Sequence, residues 1–410
     1  MNKDDLVLES LQNLKTIRLQ SQRILSLARK DKSAYFRINE ERIPATLNFI
    51  LEVIYSQYPT LEIPYHSRWR HFEAGGVDRI QQLIGTLYGL SSEELGKILY
   101  ELVIISVFLD AGAGNRWHYQ ELSTGQFYCR SEGLALASLD LYLSGALSAD
   151  RNQPLRIDAE VLLHFSKESL LKAFQINQQN PLEGVEGRVA LLNRLGKVLK
   201  NKTEFFTKEG RLGNFYSKVL TMQNEGVIDL THIFASVLNC FREIWPERLR
   251  YKGINLGDVW VYPPLISEAQ PGSELVPFHK LSQWLSYSLI EPLELAGFHL
   301  TNLAELTGLP EYRNGGLLVD MGVLEAKNPQ ILQDLQDPAS ELIVEWRALT
   351  VALLDELADA LRHQLKMNEK ELPLAKILQG GTWEAGRRIA KQKRPDGRPP
   401  IQIVSDGTIF

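Results

Sequence analysis

Cysteine is nearly absent from this sequence. Only Cys129 and Cys240 occur among 410 residues, which leaves room for one disulfide but excludes the disulfide framework of small secreted domains. There is no CxxC pair and no HExxH segment, and the eight histidines are scattered along the chain. Because zinc sites usually combine such ligands at short spacing, we expect no metal.

Glycine-rich nucleotide motifs and a surplus of positive charge are also missing. No P-loop and no GxGxxG follows a predicted strand, so Walker or Rossmann nucleotide binding is not supported, and we expect no cofactor. The chain has 45 Lys and Arg against 50 Asp and Glu, a net charge of -5, whereas duplex-binding proteins usually carry a basic surplus. A small metabolite is therefore a better candidate ligand than nucleic acid.

Long hydrophobic runs are lacking as well. The longest apolar run lies between Ile98 and Leu109, far short of the ~20 residues that a membrane span needs. The N-terminal MNKDDLVLESLQNLKTIRLQ lacks the apolar core and cleavage site of a signal peptide. We predict a cytoplasmic protein without a membrane partner.

Helical periodicity dominates what is present. KILYELVIISVFLD is apolar nearly all round, as in a buried helix, and a leucine-striped helix opens at Asp337-Pro338. WHYQELSTGQFYCR alternates in part around Ser-Thr-Gly, which predicts a short β-hairpin. The sequence predicts a mostly α fold with a small β component, arranged within one 410-residue unit as two helical lobes, 1–185 and 186–410.

The stretch HSRWRHFEAGG, which begins at His66, is the first candidate for chemistry. Its arginines are suited to hold a phosphate or carboxylate by forked hydrogen bonds, and its aromatics to stack on a sugar-like ligand. A surface turn anchored by two aromatics is the structural alternative. The candidate ligand residues are Arg68, Trp69, Arg70, His71 and Phe72.

The second stretch is LDAGAG, in which Asp110 follows the very apolar helix. A carboxylate there opposes the helix dipole, and burial adds a desolvation cost, so a partner or a catalytic role is expected. Capping of amides in the AGAG turn is an equal alternative. Arg130 and Glu132 in CRSEG are candidate neighbours or ligands, unless they form a surface ion pair.

The third stretch is VPFHKLSQWLSYSL, predicted to be a helix from about Pro277. Lys280 falls in its first turn, where the helix dipole disfavours a cation and lowers its pKa, which suits anion contact or chemistry. A solvated lysine beside core aromatics is the alternative. The candidate residues here are His279, Lys280, Gln283 and Trp284.

The fourth stretch is LTGLPEYRNGGLLVDMG, a sharp turn followed by an apolar run. Glu311 and Asp320 are candidate acid and base, and Tyr312 and Arg313 are candidate ligands. A helix, a tight hairpin and a helix also position the carboxylate of some base-excising enzymes. Helix caps commonly hold such side chains, so a capping role is the alternative.

These stretches together carry a resemblance to a known family. HSRWRHFEAGGVDR, LDAGAGNRWHYQE, TGQFYCRSEGLALAS, VPFHKLSQWLSYSLIEPL, TGLPEYRNGGLLVDMGVL and the terminal SDGTIF resemble the uracil-catabolism family called Urc-four or Urg-three, a domain family of unknown function. The resemblance implies uracil breakdown through a ribosylated intermediate. It also implies a pathway partner related to GTP cyclohydrolase II that opens the ring.

A fainter similarity bears on the reaction. FHKLSQ and EYRNGG are similar to segments of the queuosine-salvage N-glycosylases, which have a DNA-glycosylase-like, helix-hairpin-helix fold. That likeness implies Lys280 and Glu311 as the working pair. Cleavage also needs a group on the other side of the sugar that hydrogen-bonds the departing urea, and the further candidate carboxylates for this are Asp110, Glu132 and Asp320. Glu311 stands where that family has aspartate, so the substrate or the geometry differs. We hypothesise hydrolysis of ribosylurea, or of its phosphate, to urea and the sugar.

Three other functions remain open. A non-catalytic partner or channel for the ring-opening enzyme predicts complex formation without turnover. A nucleic-acid or nucleotide N-glycosylase is the second alternative, and the nucleic-acid form predicts salt-sensitive binding to DNA. A uracil-sensing regulator predicts binding of a pyrimidine without its consumption.

Overall fold

A computed structural model describes residues 3–404 of the chain. The terminal SDGTIF segment, one of the motifs behind the family resemblance, lies outside the described residues. Helices form most of the structure, and they are numbered here in chain order: α1 (Lys3–Leu11), α2 (Leu14–Arg29), α3 (Ile43–Gln57), α4 (Arg68–Phe72), α5 (Arg79–Thr86), α6 (Ser92–Phe108), α7 (Arg130–Leu143), α8 (Ala159–Leu163), α9 (Lys167–Ala173), α10 (Val185–Asn201), α11 (Thr203–Phe206), α12 (Asn214–Leu220), α13 (Leu230–Phe241), α14 (Lys280–Ser288), α15 (Ile290–Leu295), α16 (Tyr312–Asp320), α17 (Glu341–Leu365), α18 (Leu374–Ile377) and α19 (Trp383–Lys393).

The strands are short and occur in pairs. They are β1 (Phe36–Ile38), β2 (His118–Gln120), β3 (Phe127–Cys129), β4 (Val227–Asp229), β5 (Arg250–Tyr251), β6 (Ile254–Asn255), β7 (Val259–Val261), β8 (Leu275–Pro277), β9 (His299–Thr301), β10 (Leu324–Ala326), β11 (Leu335–Gln336) and β12 (Gln402–Ile403). The antiparallel pairs are β1–β10, β2–β3, β5–β6 and β7–β8, and the parallel pairs are β4–β9 and β11–β12. Such pairs join neighbouring segments but do not form a layer of their own.

The predicted fold class, mostly α with a small β component, is confirmed. The predicted hairpin is present, with His118 opposite Cys129 in the β2–β3 pair. Within residues 3–404, no helix has the length and apolar character required to cross a membrane. The helix-hairpin-helix, DNA-glycosylase-like architecture stays a prediction.

Local contacts set where several helices begin, and one of these starts differs from the predicted one. The helix expected from Pro277 starts at Lys280, because Pro277 is the last residue of β8 and pairs with Val259. The stretch AEVLLHFSKESLLKAF forms two helices, α8 and α9, and the Ser166 hydroxyl caps the second one. Helix α7 begins at Arg130, with Cys129 as its N-cap.

The described residues group into two compact units that interleave along the chain. Unit 1 comprises the described residues up to His66 together with Leu249–Gln283 and Asn302–Val404. Unit 2 comprises Ser67–Arg248 and Trp284–Thr301. The expected division into lobes 1–185 and 186–410 concerns consecutive parts of the chain and stays a prediction.

Unit 1 is organised around α17, whose buried face includes an acidic residue. The Glu345 carboxylate in α17 accepts hydrogen bonds from the Phe36 backbone N–H at 2.9 Å and from the Tyr262 hydroxyl at 2.6 Å. Helix α16 lies so close to α17 at Gly315 that an added Cβ would overlap the Trp346 ring. Helix α19 lies equally close to the start of α16, where a Cβ on Gly386 would overlap a backbone carbonyl. These contacts fix the N-terminal end of α16.

Unit 2 is organised around α6, whose last three turns are buried on all sides. The Glu101 carboxylate in this helix pairs with Arg211 at 3.1 Å and accepts a hydrogen bond from the Gly213 backbone N–H at 2.9 Å. A Cβ on Gly96 would overlap the Tyr216 ring, so α12 lies close against α6. The buried helix therefore ends at a fixed place, and Asp110 follows it there.

Candidate functional site

Glu311 is the N-cap of α16, as the capping alternative predicts. Its carboxylate accepts hydrogen bonds from the backbone N–H groups of Arg313 at 2.7 Å and Asn314 at 2.6 Å. Only 8% of the residue is exposed. The helix dipole favours an anion at this end, so the cap and the burial together hold the carboxylate in one orientation.

The environment of Glu311 combines burial with positive charge. Burial raises its pKa above the ordinary value, while the two backbone N–H groups and the charges of Lys280 and Arg313 act in the opposite direction. A buried carboxylate with a perturbed pKa and cationic neighbours is typical of functional sites, although structural ion pairs share these features. We call His66, Lys280, Glu311, Arg313 and Asn314 of unit 1 the Glu311 cluster.

Lys280 is the first residue of α14 and is held there by its backbone. Its N–H donates to the Asp258 carboxylate at 2.9 Å, and Asp258 is paired with Arg347 at 2.7 Å. Burial works to raise the pKa of Asp258, but the Arg347 guanidinium and the hydrogen bonds hold it well below its usual range. An anion with so low a pKa remains charged, and it fixes the start of α14.

His279, immediately before Lys280, has a left-handed backbone with φ 47°. Such a conformation in a residue other than glycine costs of order 1–3 kcal/mol and is common at functional sites. Its Nε2 lies 2.8 Å from the Leu11 carbonyl oxygen and donates to it. This hydrogen bond holds the side chain of His279, a predicted ligand residue, against Leu11. The strained backbone of His279 leads directly into Lys280.

Gln283 links α14 to the segment that leads to Glu311. Its Nε2 donates to the Phe278 carbonyl at 3.0 Å and to the Thr307 hydroxyl at 2.8 Å, while its Oε1 accepts from the Thr307 backbone N–H at 2.8 Å. The side chain is fully buried. This amide positions the two segments that carry Lys280 and Glu311.

His66 was not among the predicted ligand residues, yet it belongs to the same cluster. Its Nδ1 lies 3.0 Å from Gln379 Oε1, and its ring centroid is 5.7 Å from that of Trp383. Burial lowers the pKa of His66 to about 4, the charge of Lys280 lowers it as well, and the Gln379 hydrogen bond acts the other way. The imidazole is therefore neutral at pH 7.

Gln379, the hydrogen-bond partner of His66, lies in a π-helical turn, Leu378–Thr382. Such turns often occur at functional sites, but the periodicity of the sequence does not reveal them. The signal that was available is position alone, since His66 is the first residue of the HSRWRHFEAGG stretch. The residue types gave no reason to separate it from the rest.

The remaining predicted residues of unit 1 lie along α16. The Arg313 guanidinium lies over the Tyr312 ring, 5.0 Å from its centroid, and donates to the Gly397 carbonyl at 3.0 Å. Asp320 is at the other end of the helix, in a two-pronged ion pair with Arg394. Because nine residues of helix extend about 14 Å, α16 does not bring Glu311 and Asp320 together.

Arg68 is the centre of a second group, in unit 2. Its Nε donates to the Ser106 hydroxyl at 2.7 Å, and its Nη1 lies 3.0 Å from Asp110 Oδ1. Its guanidinium carbon is 5.6 Å from the centroid of the Trp284 ring. Burial lowers the pKa of Arg68, and the charges of Asp110 and Glu132 oppose that effect. These four residues, Arg68, Asp110, Glu132 and Trp284, are called the Arg68 cluster.

One donor of Arg68 is not used by the protein. Within the part of the chain that the structure describes, its Nη2 has no hydrogen-bond acceptor, although the side chain is completely buried. A buried N–H without a partner is costly and uncommon in native structures. The Arg68 cluster therefore has the capacity to bind one further oxygen acceptor.

The LDAGAG turn surrounds a second arginine that the sequence analysis missed. Arg188 of α10 donates to the carbonyls of Leu109 at 3.1 Å and Ala111 at 2.6 Å. Burial lowers its pKa to about 10, and the charge of Asp110 acts in the opposite direction. Asp110 thus pairs with one buried arginine, Arg68, and interacts electrostatically with a second, Arg188, which supplies the partner that its burial requires.

The rest of the HSRWRHFEAGG stretch packs within unit 2. Trp69 donates from its indole to the Ser288 carbonyl at 3.2 Å, Phe72 is fully buried, and the His71 ring meets Trp284 edge-on at 5.8 Å. Arg70 is paired with Glu291, so all four of these candidate residues are held by contacts within the protein. The Gly75-Gly76 pair adopts left-handed φ values.

The helix start after the double glycine is capped by a side chain of the protein. The Asp78 carboxylate accepts a hydrogen bond from the Gln81 backbone N–H and caps α5. Arg130 begins α7 with φ 53°. Among residues 3–404, no group of three or more His, Cys, Asp and Glu side chains has the arrangement of a metal site.

Comparison with known proteins gives a family match and two similar curated proteins. Residues 10–410 match the family described as "Protein of unknown function (DUF1688)". The chain is 39% identical over 410 residues to "Protein urg3" of Schizosaccharomyces pombe, with 98% of each chain covered. It is 38% identical over 409 residues to "Uracil catabolism protein 4" of Lachancea kluyveri, with 92% of each covered.

Proposed function

Because the chain belongs to the family described as Protein of unknown function (DUF1688), and a relative is named Uracil catabolism protein 4, we propose that it acts in uracil catabolism. The similarity extends over nearly the whole of both proteins, so no large part of the relative lacks a counterpart. The reaction and the substrate are further parts of the proposal and rest on the Glu311 cluster.

The proposed reaction is hydrolysis of the N-glycosidic bond of ribosylurea or of its 5′-phosphate. The bond between C1′ and the urea nitrogen breaks, and water forms a new bond to C1′. One water proton ends on the departing nitrogen, which gives urea and ribose or ribose 5-phosphate. No oxidant, reductant or second substrate is needed.

The observation that carries the proposal is the position of the Glu311 carboxylate. Cleavage develops positive charge at C1′ and O4′, and a fixed carboxylate on that face stabilises the cation and orients the attacking water. Glu311 is buried, oriented by two backbone N–H groups, and near Lys280 and Arg313. An oriented anion needs little reorganisation when the charge appears.

The cations of the cluster support binding of the polar parts of the substrate. Lys280 and Arg313 supply positive charge that is suited to a phosphate or to sugar hydroxyls. In unit 2, the unused Nη2 of Arg68 supports a binding role for the Arg68 cluster toward an oxygen acceptor. The individual roles of Asp110, Glu132, Trp284 and Asp320 stay predictions.

The test is an assay of the purified protein with ribosylurea and its 5′-phosphate, in which free urea and reducing sugar are both measured. Glu311→Gln keeps an oxygen that accepts hydrogen bonds but removes the charge, so turnover should fall by ~100-fold or more. Glu345→Gln is the matched control, because Glu345 is also buried and also accepts backbone N–H groups. Wild-type rates in folded Glu311→Gln protein would exclude the proposed role.

Glu311→Asp separates catalysis from capping. Aspartate is a better N-cap than glutamate, so a residue that serves only as a cap should tolerate this change without loss of stability or activity. A catalytic carboxylate moved back by one methylene should lose turnover while stability is retained. The two measurements are the assay above and urea denaturation of the same preparation.

The main rival is a non-catalytic partner of a ring-opening enzyme related to GTP cyclohydrolase II. It predicts no urea release by this protein alone and a stable complex with that enzyme. Salt-sensitive binding of DNA with release of a base would support the nucleic-acid glycosylase instead. Binding of uracil without turnover would support the regulator.

A further inference from the structure

The side chain of Asn314, the third residue of α16, has one polar atom that the protein does not use. Asn314 is completely buried. Its Nδ2 donates to the Leu309 carbonyl at 3.2 Å, and its Oδ1 has no hydrogen-bond partner among residues 3–404. Because a carbonyl only accepts, the contact with Leu309 fixes which end of the amide is oxygen.

The unused oxygen belongs to the same local structure as the Glu311 carboxylate. Glu311 Oε1 accepts from the Asn314 backbone N–H at 2.6 Å, and the Leu309 carbonyl accepts from both the Glu311 N–H at 2.9 Å and the Asn314 amide. One turn of chain therefore positions the amide and the carboxylate together.

A buried acceptor without a donor is unfavourable, and native proteins keep few of them. An apolar residue of similar size would avoid this cost at position 314, provided the Leu309 carbonyl found another donor. Asn180 shows the usual alternative: its Oδ1 accepts from the His118 N–H at 2.9 Å, and its Nδ2 donates to the His118 carbonyl. The unsatisfied oxygen of Asn314 points to a donor supplied by a ligand.

We propose that Asn314 Oδ1 accepts a hydrogen bond from the 2′-hydroxyl of the ribosyl group. This inference rests on the proposed function, in which Glu311 faces the side of C1′ opposite the departing urea. On that side O4′ and the developing cation offer no hydrogen-bond donor, whereas the 2′-hydroxyl is attached to the neighbouring carbon. Asn314 is then a specificity-determining residue that distinguishes ribosyl from 2′-deoxyribosyl substrates.

The hydrogen bond also strengthens during the reaction. As positive charge develops at C1′, the 2′-hydroxyl becomes more acidic and donates more strongly, as in glycoside hydrolysis. The Asn314 amide is neutral, and its oxygen accepts this hydrogen bond without taking up a proton. The effect is therefore expected mainly in kcat, with a smaller change in KM.

The experiment compares two substrates in two proteins. The kcat/KM values for ribosylurea and 2′-deoxyribosylurea, with or without the 5′-phosphate according to which is turned over, are measured in the wild type and in Asn314→Leu. Since 2′-deoxyribosides are intrinsically more labile, the informative quantity is the change in the ribo-to-deoxyribo ratio. We expect Asn314→Leu to lower that ratio by ~10-fold or more.

Asn180→Ala is the matched control, because it removes a buried amide whose hydrogen bonds are all within the protein. It should lower stability but leave the ratio unchanged. Asn314→Ala provides a second variant if the leucine is not accommodated. Equal slowing of both substrates by the Asn314 variants would overturn the inference. An effect of these variants that appears only with N-methylated urea substrates would overturn it as well, because it would mean that Asn314 contacts the urea group and not the 2′-hydroxyl.

Failure of this inference is distinguishable from failure of the proposed function. Binding of ribose 5-phosphate and 2-deoxyribose 5-phosphate, measured by calorimetry, does not require turnover. A preference for ribose 5-phosphate that Asn314→Leu abolishes would support the inference even if no bond is cleaved. Turnover with an unchanged ratio, or binding of neither sugar phosphate by an inactive protein, would overturn it.

Discussion

Asp110 Oδ1 lies 3.0 Å from Arg68 Nη1, and the two side chains are 7% and 0% exposed. Arg68 is also held by the Ser106 hydroxyl and the Ser131 carbonyl. The pair joins two segments, 42 residues apart in the sequence, that both depart from the pattern of a simple core. Each therefore explains the burial of the other.

Breaking this pair should be costly. Arg68→Met leaves the Asp110 carboxylate buried without its ion-pair partner, so the free energy of unfolding should fall by about 3–5 kcal/mol. Urea denaturation measures the change. Arg29→Met is the control, because Arg29 is half-exposed in its pairs with Glu40 and Glu356, and its loss should cost less than about 1 kcal/mol.

The double variant Arg68→Met with Asp110→Leu tests the same relationship more directly. With both charges removed, neither is left uncompensated, so its loss should be smaller than the sum of the two single losses. Additive losses would show that the two side chains act independently.

The pH dependence of turnover should report on Glu311. Its pKa is raised by burial, and the proposed mechanism needs the carboxylate. The fraction ionised, and hence kcat/KM, should fall as pH drops through a value above the ordinary 4.5 of a glutamate. A pH profile of kcat/KM from 4 to 8 is the measurement, and an acid limb at or below 4.5 would contradict the assignment.

Protonation of His66 should destabilise the fold in acid. Its pKa is lowered from 6.5 to about 4, so the unfolded chain binds the proton at higher pH than the folded protein does. Stability is complete above pH 6.5 and declines as pH falls toward 4, by up to about 3 kcal/mol. Denaturation curves of the wild type and His66→Gln at several pH values should show this slope only in the wild type.

Carboxylates whose pKa is raised in the fold change the free energy of unfolding in the opposite direction, because their ionisation as pH rises makes the folded state less stable. They are present in both proteins, so the difference between the wild type and His66→Gln isolates the histidine. If the free energy of unfolding changes with pH in parallel for the two proteins, His66 is not buried in its neutral form.

The close contact between α16 and α19 should not tolerate a side chain at Gly386. An added Cβ would overlap the Arg313 carbonyl, so Gly386→Ala should destabilise the protein by about 1–3 kcal/mol. Gly85→Ala is the control, since a Cβ in α5 meets nothing within 4 Å and alanine is the better helix former, by about 1 kcal/mol. Thermal unfolding of both variants should shift in opposite directions.

The sequence was informative where the signal is local. The period of the apolar residues predicted the buried helix now seen as α6, and alternation around Ser-Thr-Gly predicted the β2–β3 hairpin. The dense motifs identified the family, which the comparison confirmed. The alternative that Glu311 caps a helix followed from residue type and position, and the capping geometry is present.

The functional grouping of residues was not predictable in the same way. Nothing in the sequence connects His66 with Gln379, Asp110 with Arg188, or Lys280 with Asp258, because these partners are separated by long stretches of chain. The EYRNGG motif follows a predicted sharp turn, and the sequence analysis assigned no role to its glycines; Gly315 lies inside α16 and permits the contact of that helix with Trp346. Tertiary packing assigned that role.

By itself, the sequence determined the helical class, the family and the residue types available for chemistry, because periodicity and motif composition are properties of short segments. Only the tertiary structure decided which of those side chains are satisfied by the protein and which retain unused hydrogen-bonding capacity. That distinction depends on burial and on partners brought from distant positions. It separates Gln283, whose amide is saturated within unit 1, from Asn314, whose oxygen is not.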